Sequence, residues 1–385
     1  MRILFVTHSF PRQQDDIAGA FVHRLACALN EAGDELLVLA PSAEGLNARA
    51  TVDGVSTLRY RYAPRTWETL AYGGDMAEQV SASLRGKLAL GGLLAGGAMA
   101  VRRAVRTFAP DVVHAHWWFP GALQAAWMIG RAPMVTTLHG SDVRLAANAP
   151  RSHGLFRRVM ARAARVTAVS SWLADQAREM APSLRAQILP MPADTTLFVP
   201  GSDRHASRLL FVGRLNAQKG VARLLDALAS STSGAALDIV GDGTDRAALE
   251  RHAIAAGVAD RVTWHGALPQ RTLVPFYQRA TALVIPSELE GLGLVGVEAQ
   301  LCETPVIAFC SGGLTDIVRD GVSGLLVPPG DPSALVAAID RIIADPARAA
   351  SLGRAGRAQA LATFSPVAAA SAYQKVYTEA IADGR

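Results

Sequence analysis

The stretch TALVIPSELEGLGLVGVEAQ, residues 281–300, contains a strand pattern, a glycine-containing turn and a helix pattern in succession. ALVIP is a short, continuously apolar run, which is typical of a strand buried on both faces of a sheet. GLVGVEAQL predicts a helix, and Gly291 and Gly293 allow the connecting turn backbone angles that other residues avoid. A buried strand that leads through a tight turn into a helix is the repeating unit of an α/β sheet.

The same unit repeats along the whole chain. The strand-like runs are RILFVT, ELLVLA, DVVHAH, PMVTTLH, RVTAVS and AQILPM in the first half, and RLLFVG, LDIVG, RVTWHG, ALVIP and TPVIAF in the second. Helix patterns separate them, so the alternation predicts a doubly wound parallel sheet twice over. A chain of 385 residues is also too long for one ordinary core.

The break between the two halves falls in LPMPADTTLFVPGSDRHASR, residues 189–208, which is rich in Pro, Ser and Asp and has no periodicity. We expect an N-terminal domain over residues 1–190, a linker over 191–207 and a C-terminal domain over 208–365. The tail, residues 366–385, begins with a proline and continues as a helix pattern. One hypothesis is that this helix packs back on the N-terminal domain.

Composition favours a soluble globular protein, since 50% of the residues are hydrophobic and 18% are charged. We find no signal-peptide pattern at the N-terminus. The three cysteines give neither a metal-binding spacing nor an even count, so we expect a cytoplasmic location. The longest apolar run, LALGGLLAGGAMAV at residues 88–101, is short and glycine-rich for a membrane span and predicts a buried helix.

The net charge of +5 comes mostly from arginine and includes two local clusters, RRAVRTF at residues 102–108 and RSHGLFRRVMARAARV at residues 151–166. One interpretation is that both are solvated helix faces. The other is attraction to an anionic membrane surface, which would make the protein peripheral at the inner face of the membrane, or to a phosphate-bearing acceptor. Basic and aromatic residues do not interleave, so we expect no nucleic-acid partner.

Two cations follow a predicted strand in LLFVGRLNAQKG, residues 209–220. The strand ends at Gly213, Arg214 comes next, and Lys219 opens a helix pattern. Because strand-to-helix turns point backbone N–H groups at the ligand in this type of sheet, these side chains can converge on an anion. Arginine would bind it as a planar fork and lysine as a point charge. The alternative is that both are ordinary surface charges.

The turn in residues 287–298 offers a second set of anion contacts. The N–H groups of Leu294 and Val295 lie at a predicted helix start, where phosphate oxygens are favoured. Glu290 precedes the turn and Glu298 follows about one helical turn later, so each can accept hydrogen bonds from sugar hydroxyls. A glycosidase would need its two carboxyl groups about 5 Å apart. Eight residues, mostly helical, separate them by on the order of 10 Å, which favours a nucleotide-sugar site.

With these motifs, the sequence resembles the retaining glycosyltransferases of family 4, the group 1 transferases. The resemblance implies the GT-B fold, in which two Rossmann-like doubly wound domains face each other across a cleft. The E-x7-E motif of the family is matched by Glu290 and Glu298. Its G-R-L-x3-K-G motif is matched by Gly213, Arg214, Lys219 and Gly220. HAHWWFPG, and HGSDV beginning at His139, resemble acceptor-side motifs.

The resemblance also implies roles for single residues. Arg214 and Lys219 would neutralise the leaving diphosphate, Glu290 would hold hydroxyls of the transferred sugar, and Glu298 would hold the ribose. His139 would face the reacting carbon across the cleft. The catalytic candidates are therefore His139, Arg214, Lys219 and Glu290, and the donor-binding candidates are Gly19, Gly213, Arg214, Lys219, Glu290, Gly291, Gly293, Leu294, Val295 and Glu298.

Other candidates lie in the first domain. Gly19 matches a family glycine near the diphosphate, but Ala18 stands where the family usually has a preceding glycine. His116 either contacts the acceptor or packs in the core. Asp142 either positions His139 or binds an acceptor hydroxyl. A second departure is Leu292, where phenylalanine is common and which reads as a conservative packing exchange.

The sequence lacks the D-x-D motif that holds a metal ion in the other main transferase fold, because no two aspartates are spaced i, i+2. We therefore expect metal-independent catalysis without a cofactor, the nucleotide sugar being a substrate. The expected reaction moves a hexose to a hydroxyl of a glycan, a lipid-linked acceptor or a small molecule, in polysaccharide or glycoconjugate synthesis. UDP- and GDP-sugars both remain open as donors. The alternatives are a nucleotide-sugar epimerase and a non-catalytic nucleotide-binding module.

Overall fold

The computed structural model describes residues 1–13, 16, 18–73, 76–202 and 204–383, which form two compact units. Unit 1 consists of Met1–Pro192 and Pro366–Arg385, of which 384 and 385 lie outside the described residues, and unit 2 of Ala193–Ser365. Most of the predicted linker, from Ala193 onward, thus belongs to unit 2. The guanidinium of Arg204 explains this, because it donates to the carbonyls of Ala280 and Glu303. Asp203 within the linker is not among the described residues.

Unit 1 contains eight strands in the described residues. They are β1 (Arg2–Val6), β2 (Glu35–Pro41), β3 (Arg49–Val52), β4 (Val55–Tyr60), β5 (Val112–His116), β6 (Met134–Leu138), β7 (Arg165–Ala168) and β8 (Ala186–Ile188). Its helices are α1 (Ala20–Glu31), α2 (Met76–Ala82), α3 (Leu84–Phe108), α4 (Leu123–Ala125), α5 (Ser141–Ala147), α6 (His153–Met160) and α7 (Ser171–Met180).

The eight strands form one sheet in the order β3-β4-β2-β1-β5-β6-β7-β8, in which β3 alone runs antiparallel to its neighbour. From β1 the chain moves to β2 on one side and later to β5 on the other, so the direction of winding reverses there. Right-handed crossovers consequently place α1 on one face and α3 to α7 on the opposite face. Ligands bind at such a switch point in open α/β sheets, outside the carboxyl ends of the strands.

Unit 2 has six strands in the described residues, in the order β11-β10-β9-β12-β13-β14, all parallel. The strands are β9 (Arg208–Val212), β10 (Ala236–Val240), β11 (Val262–Gly266), β12 (Ala282–Ile285), β13 (Val306–Phe309) and β14 (Gly324–Val327). The helices are α8 (Val221–Ser230), α9 (Arg246–Ala255), α10 (Gln270–Arg279), α11 (Leu294–Leu301), α12 (Leu314–Ile317), α13 (Pro332–Ala344) and α14 (Pro346–Phe364). The predicted fold class, two doubly wound α/β sheets, is confirmed.

The last helix, α15 (Pro366–Asp383), packs on unit 1 against α1, β5 and β6. Its Tyr377 hydroxyl pairs with the Nδ1 atom of His114 at 2.7 Å, and Gln374 donates to the carboxylate of Asp34 at 2.8 Å. The carboxylates of Glu379 and Asp383 form ion pairs with Arg165. The helix therefore covers the face of the sheet that carries α1.

The apolar run predicted as a buried helix lies within α3, and the prediction is wrong for one side of that helix. A stripe that includes Ala89, Leu93 and Val101 is buried against the sheet, while Leu88 and Met99 on the opposite side are 58% and 68% exposed. By length and composition α3 could cross a bilayer, and no other helix of the described residues fits that description. Its buried stripe nevertheless makes it part of the core of unit 1.

Candidate active site

The loops after β9 and β12 are neighbours in unit 2, because these two strands are adjacent in the sheet. After β9 the chain passes Gly213 and Arg214 and forms a turn at Ala217–Lys219 before α8. Gly213 lies against the turn after β10, where a Cβ atom on Gly241 would overlap the Gly213 carbonyl. The guanidinium of Arg214 is exposed and has no ion pair with another described residue. Two of the predicted donor residues thus lie at the carboxyl end of the central strand.

Lys219 and Glu290, predicted from separate motifs, are in direct contact. The Nζ atom of Lys219 donates to the carboxylate of Glu290, and the two side chains are only 19% and 12% exposed. Two neighbouring contacts hold the same loop: Gln218 donates to the carbonyl of Leu289 at 2.6 Å, and Arg223 forms an ion pair with Glu288. Gln218 and Arg223 were not predicted from the sequence, since Gln218 occupies a variable position of the G-R-L-x3-K-G motif and Arg223 lies outside it.

The glycine turn before α11 has the conformation that its sequence predicts. Gly293 has a φ of 90° at the N-terminal cap of α11, which a residue with a Cβ atom rarely adopts. In the described residues, the N–H groups of Leu294 and Val295 have no hydrogen-bond acceptor. The loop after β13 supports the turn, because the N–H of Gly313 donates to the carbonyl of Glu290 at 2.9 Å and a Cβ on Gly313 would overlap the Gly291 carbonyl.

Glu298 lies inside α11 and is 7% exposed. Its Oε1 atom accepts a hydrogen bond from Gln270 at 2.7 Å, and its Oε2 atom accepts one from the Tyr277 hydroxyl at 2.8 Å. Burial and the nearby carboxylate together raise the pKa of Tyr277 well above its ordinary value, so the hydroxyl remains a donor. Both supporting residues are on α10, and sequence reasoning missed them because no spacing links them to Glu298.

In unit 1, the predicted acceptor-side residues lie together at the ends of β5 and β6. The Nδ1 atom of His116 and the Nε2 atom of His139 are 3.1 Å apart, so one ring donates a hydrogen bond to the other. The indole ring of Trp117 packs on His139 with a centroid distance of 4.4 Å, and Phe21 packs on His139 at 5.2 Å. His116 is fully buried, whereas His139 is half-buried.

Asp142 organises the backbone around His139. Its Oδ1 atom accepts hydrogen bonds from the N–H groups of His139 and Gly140, at 3.1 and 2.9 Å, and its Oδ2 atom accepts one from the N–H of Trp118 at 2.9 Å. The side chain is 2% exposed, and desolvation raises its pKa despite these donors. Of the two roles that the sequence leaves open for Asp142, these contacts match the positioning of His139.

Burial keeps the imidazoles of this cluster neutral. Desolvation lowers the pKa of His8 to about 4 and lowers those of His114, His116 and His139 well below the ordinary value, with smaller contributions from neighbouring imidazoles. The Nδ1 atom of His8 and the Nε2 atom of His116 are buried and have no partner in the described part of the chain. His8, which follows β1, carried no motif and was missed.

Gly19 caps the N-terminus of α1 with a φ of 71°. A Cβ atom at this position would overlap the carbonyl oxygen of Ser9, so the loop after β1 requires glycine here. Phe21, two residues further, is the ring that contacts His139. Gly19 thus belongs to the same strand-end region as His139. The described residues contain no group of three or more His, Cys, Asp and Glu side chains placed to hold a metal ion.

Two doubly wound units, with a basic turn and a carboxylate turn on adjacent strands of one of them, define the class of GT-B glycosyltransferases. Residues 194–359 match the family model of Glycosyl transferases group 1, and residues 18–197 match that of Glycosyltransferase Family 4. Together with the similarity of 99% of the chain to a known glycosyltransferase, these matches show that the chain belongs to the family 4 glycosyltransferases.

Similar proteins include a glycogen synthase of Mycobacterium tuberculosis, which is 31% identical over 99% of this chain and 95% of its own length. A D-inositol 3-phosphate glycosyltransferase of Xylanimonas cellulosilytica is 34% identical over 70% of this chain and 72% of its own. Among solved structures, sucrose-phosphate synthase from Thermosynechococcus elongatus has a TM-score of 0.80 with 23% identity and full coverage of both chains. Anabaena HepE in complex with UDP-glucose has a TM-score of 0.71 with 20% identity, covering 98% of this chain and 99% of that one.

Proposed function

We propose that this glycosyltransferase moves a hexose from a nucleoside-diphosphate sugar to a hydroxyl acceptor with retention of configuration and without a metal ion. The observation that carries the proposal is the contact between Lys219 and Glu290 beside the free N–H groups that open α11. A cation and a helix start favour a diphosphate, and the adjacent carboxylate accepts hydrogen bonds from sugar hydroxyls.

The donor is assigned to unit 2. Arg214 and Lys219 would stabilise the charge that develops on the leaving diphosphate, which is the main electrostatic contribution expected of such a site. Glu298, held by Gln270 and Tyr277, would accept hydrogen bonds from the ribose. The structural neighbour HepE is described in complex with UDP and with UDP-glucose, which supports UDP-glucose as the first donor to test.

The acceptor side is assigned to unit 1, with His139 as the residue nearest the reacting sugar. A neutral imidazole fits this role, because it can donate or accept a hydrogen bond without an added charge. The carboxylate of Asp142 accepts three backbone hydrogen bonds, so it is already engaged. The leaving phosphate would then take the acceptor proton during attack on the same face of the sugar, as the family resemblance implies.

The test begins with thermal shift measurements on the full chain with UDP-, GDP-, ADP- and TDP-glucose, since a bound donor raises the melting temperature. The stabilising donor is then incubated with candidate acceptors, and the anomeric configuration of the product is read by NMR. We expect release of the free nucleotide, retained configuration and no loss of rate in EDTA. An isomerised nucleotide sugar without release of nucleotide would instead identify an epimerase, and an inverted product would contradict the mechanism.

A further inference from the structure

A stripe of exposed residues runs along α3 on the side opposite to its buried stripe. Successive positions on this side are Leu84, Leu88, Gly91, Ala95, Met99, Arg102 and Arg106. At 100° per residue all seven fall within about 80° of arc, so they form one line along the helix. The line is about 33 Å long at the α-helical rise per residue. We call it the α3 stripe.

The α3 stripe combines large apolar side chains with cations. Leu84, Leu88 and Met99 are 72%, 58% and 68% exposed. Arg102 and Arg106 continue the stripe, and α3 contains no aspartate or glutamate. Isolated exposed apolar side chains are common, but three in a line on one helix, continued by arginines, form a patterned surface.

The segments near α3 also carry exposed apolar side chains and an excess of basic residues. Helix α4, which packs on α3, is followed by Trp127, which is 51% exposed. Arg162, after α6, donates to the carbonyl of Ala126 beside it. Residues 84–162 contain eleven lysines and arginines but only two acids, Asp111 and Asp142. Asp142 is buried, and Asp111 accepts the backbone N–H of Arg2.

The α3 helix is fixed in the core and is not free to insert across a bilayer. A Cβ atom on Gly86, Gly92 or Gly97 would overlap Gln79, Tyr62 or Gln124, respectively, which shows how closely α3 approaches the rest of unit 1. Spanning a membrane would require all of these contacts to be lost. The exposed stripe is available without any such change.

We propose that the α3 stripe docks unit 1 on an anionic lipid bilayer, with Leu84, Leu88 and Met99 entering the headgroup region and the arginines contacting lipid phosphates. Amphipathic helices with basic and apolar side chains bind membrane surfaces in this manner. A soluble polyanion would complement the charge but would leave the apolar side chains in water. A protein partner would need a strongly acidic face to match the excess of cations in residues 84–162, whereas an anionic bilayer supplies that charge over its whole surface.

The test is flotation of the full chain with vesicles of phosphatidylcholine alone and of phosphatidylcholine mixed with phosphatidylglycerol. One variant carries Leu88→Ser and Met99→Ser, and a second carries Arg102→Gln and Arg106→Gln. The control carries Ile254→Ser and Arg251→Gln on α9 of unit 2, where Ile254 is 69% exposed and Arg251 is also exposed. The melting temperature and the donor-induced shift of each variant show that the fold and the donor site are intact.

We expect binding to anionic vesicles only, a decrease of roughly 30-fold in the arginine variant, since each cation contributes about fivefold, and a comparable decrease in the serine variant. The control should bind like the parent chain. Equal binding to both vesicle types, or binding that the serine variant retains in full, would overturn the proposal. If the serine variant instead converts a dimer to a monomer and no vesicle binds the parent chain, the stripe is an interface between two copies.

Discussion

The amine of Lys219 donates to the carboxylate of Glu290, although 71 residues separate them in sequence. The family resemblance assigns the two side chains to different parts of one ligand, the diphosphate and the transferred sugar. In the structure each partly neutralises the other within a half-buried loop. A bound diphosphate would therefore share Lys219 with Glu290, so loss of the lysine affects both the phosphate contact and the position of the carboxylate.

Lys219→Ala is expected to lower kcat/KM for transfer by about 100- to 1,000-fold, the usual cost of removing one preorganised electrostatic contact. The matched control is Arg223→Ala, which removes the parallel ion pair with Glu288 on the same loop. Steady-state kinetics with the preferred donor provide the measurement. Transfer at the parent rate in Lys219→Ala, or an equal loss in Arg223→Ala, would refute the specific assignment of Lys219 to the diphosphate.

Tyr277→Phe is expected to raise KM for the donor severalfold with a smaller change in kcat, because it removes a hydrogen bond that orients the carboxylate of Glu298. The ring itself remains and still packs edge-on against Phe198 at 5.6 Å, so the fold is preserved. Kinetics with intact donor, compared with binding of the free nucleoside diphosphate, separate the ribose contact from chemistry. A loss confined to kcat would contradict the ribose assignment.

Two adjacent glycines of α3 are expected to respond in opposite directions to alanine. Gly92→Ala places a Cβ atom against the Tyr62 carbonyl and should lower the free energy of unfolding by roughly 1–3 kcal/mol. Gly91→Ala meets no atom within 4 Å and should raise it by about 0.5–1 kcal/mol, since alanine favours the helix. Thermal denaturation of both variants decides the matter. Equal effects would show that α3 does not pack on the segment after β4 as described.

The buried imidazoles predict that unit 1 loses stability in mild acid. Because burial lowers the pKa of His8 to about 4, the unfolded chain takes up a proton below pH 6.5 that the folded chain does not. The free energy of unfolding therefore rises with pH between about 4 and 6.5 and loses this contribution as the pH falls through that window.

His8→Gln is expected to reduce this slope by up to about 1.4 kcal/mol per pH unit, the value for one proton. His153→Gln on α6, outside the cluster, is the matched control. The raised pKa of Asp142 acts in the opposite sense, but it is common to both variants and cancels in the comparison. Denaturation curves over pH 4–8 give the slope of the free energy of unfolding against pH. An unchanged slope in His8→Gln would contradict the lowered pKa of His8.

The β3–β4 hairpin is not among the predicted strands, although the sequence contains a pattern that indicates it. Asp53 and Gly54 form its two-residue turn, both with positive φ, of 44° and 82°. An Asp-Gly pair flanked by alternating apolar and polar residues is a strong hairpin pattern. Because these strands are not continuously apolar, a prediction based on continuous apolar runs does not include them. Strand β14 was missed for a related reason, because GLLV is short and follows glycine- and aspartate-rich turns.

The sequence by itself determined the two sheets, the turns that follow their strands and most of the candidate site residues at those turns. Short, continuously apolar runs bounded by turn residues are typical of buried parallel strands, and glycine is favoured where φ is positive, as at Gly19 and Gly293. These are local properties, so the local sequence pattern predicts them.

Only the tertiary structure decided which side chains meet. The contacts of Glu298 with Tyr277, of Asp142 with Trp118 and of His116 with His139 join separate segments, and no periodicity encodes them. Exposure is equally non-local: the run from Leu88 to Val101 is apolar throughout, but the sheet beneath α3 buries one side and leaves the other to solvent. The physical reason is that burial and hydrogen bonding depend on what the fold places opposite each residue.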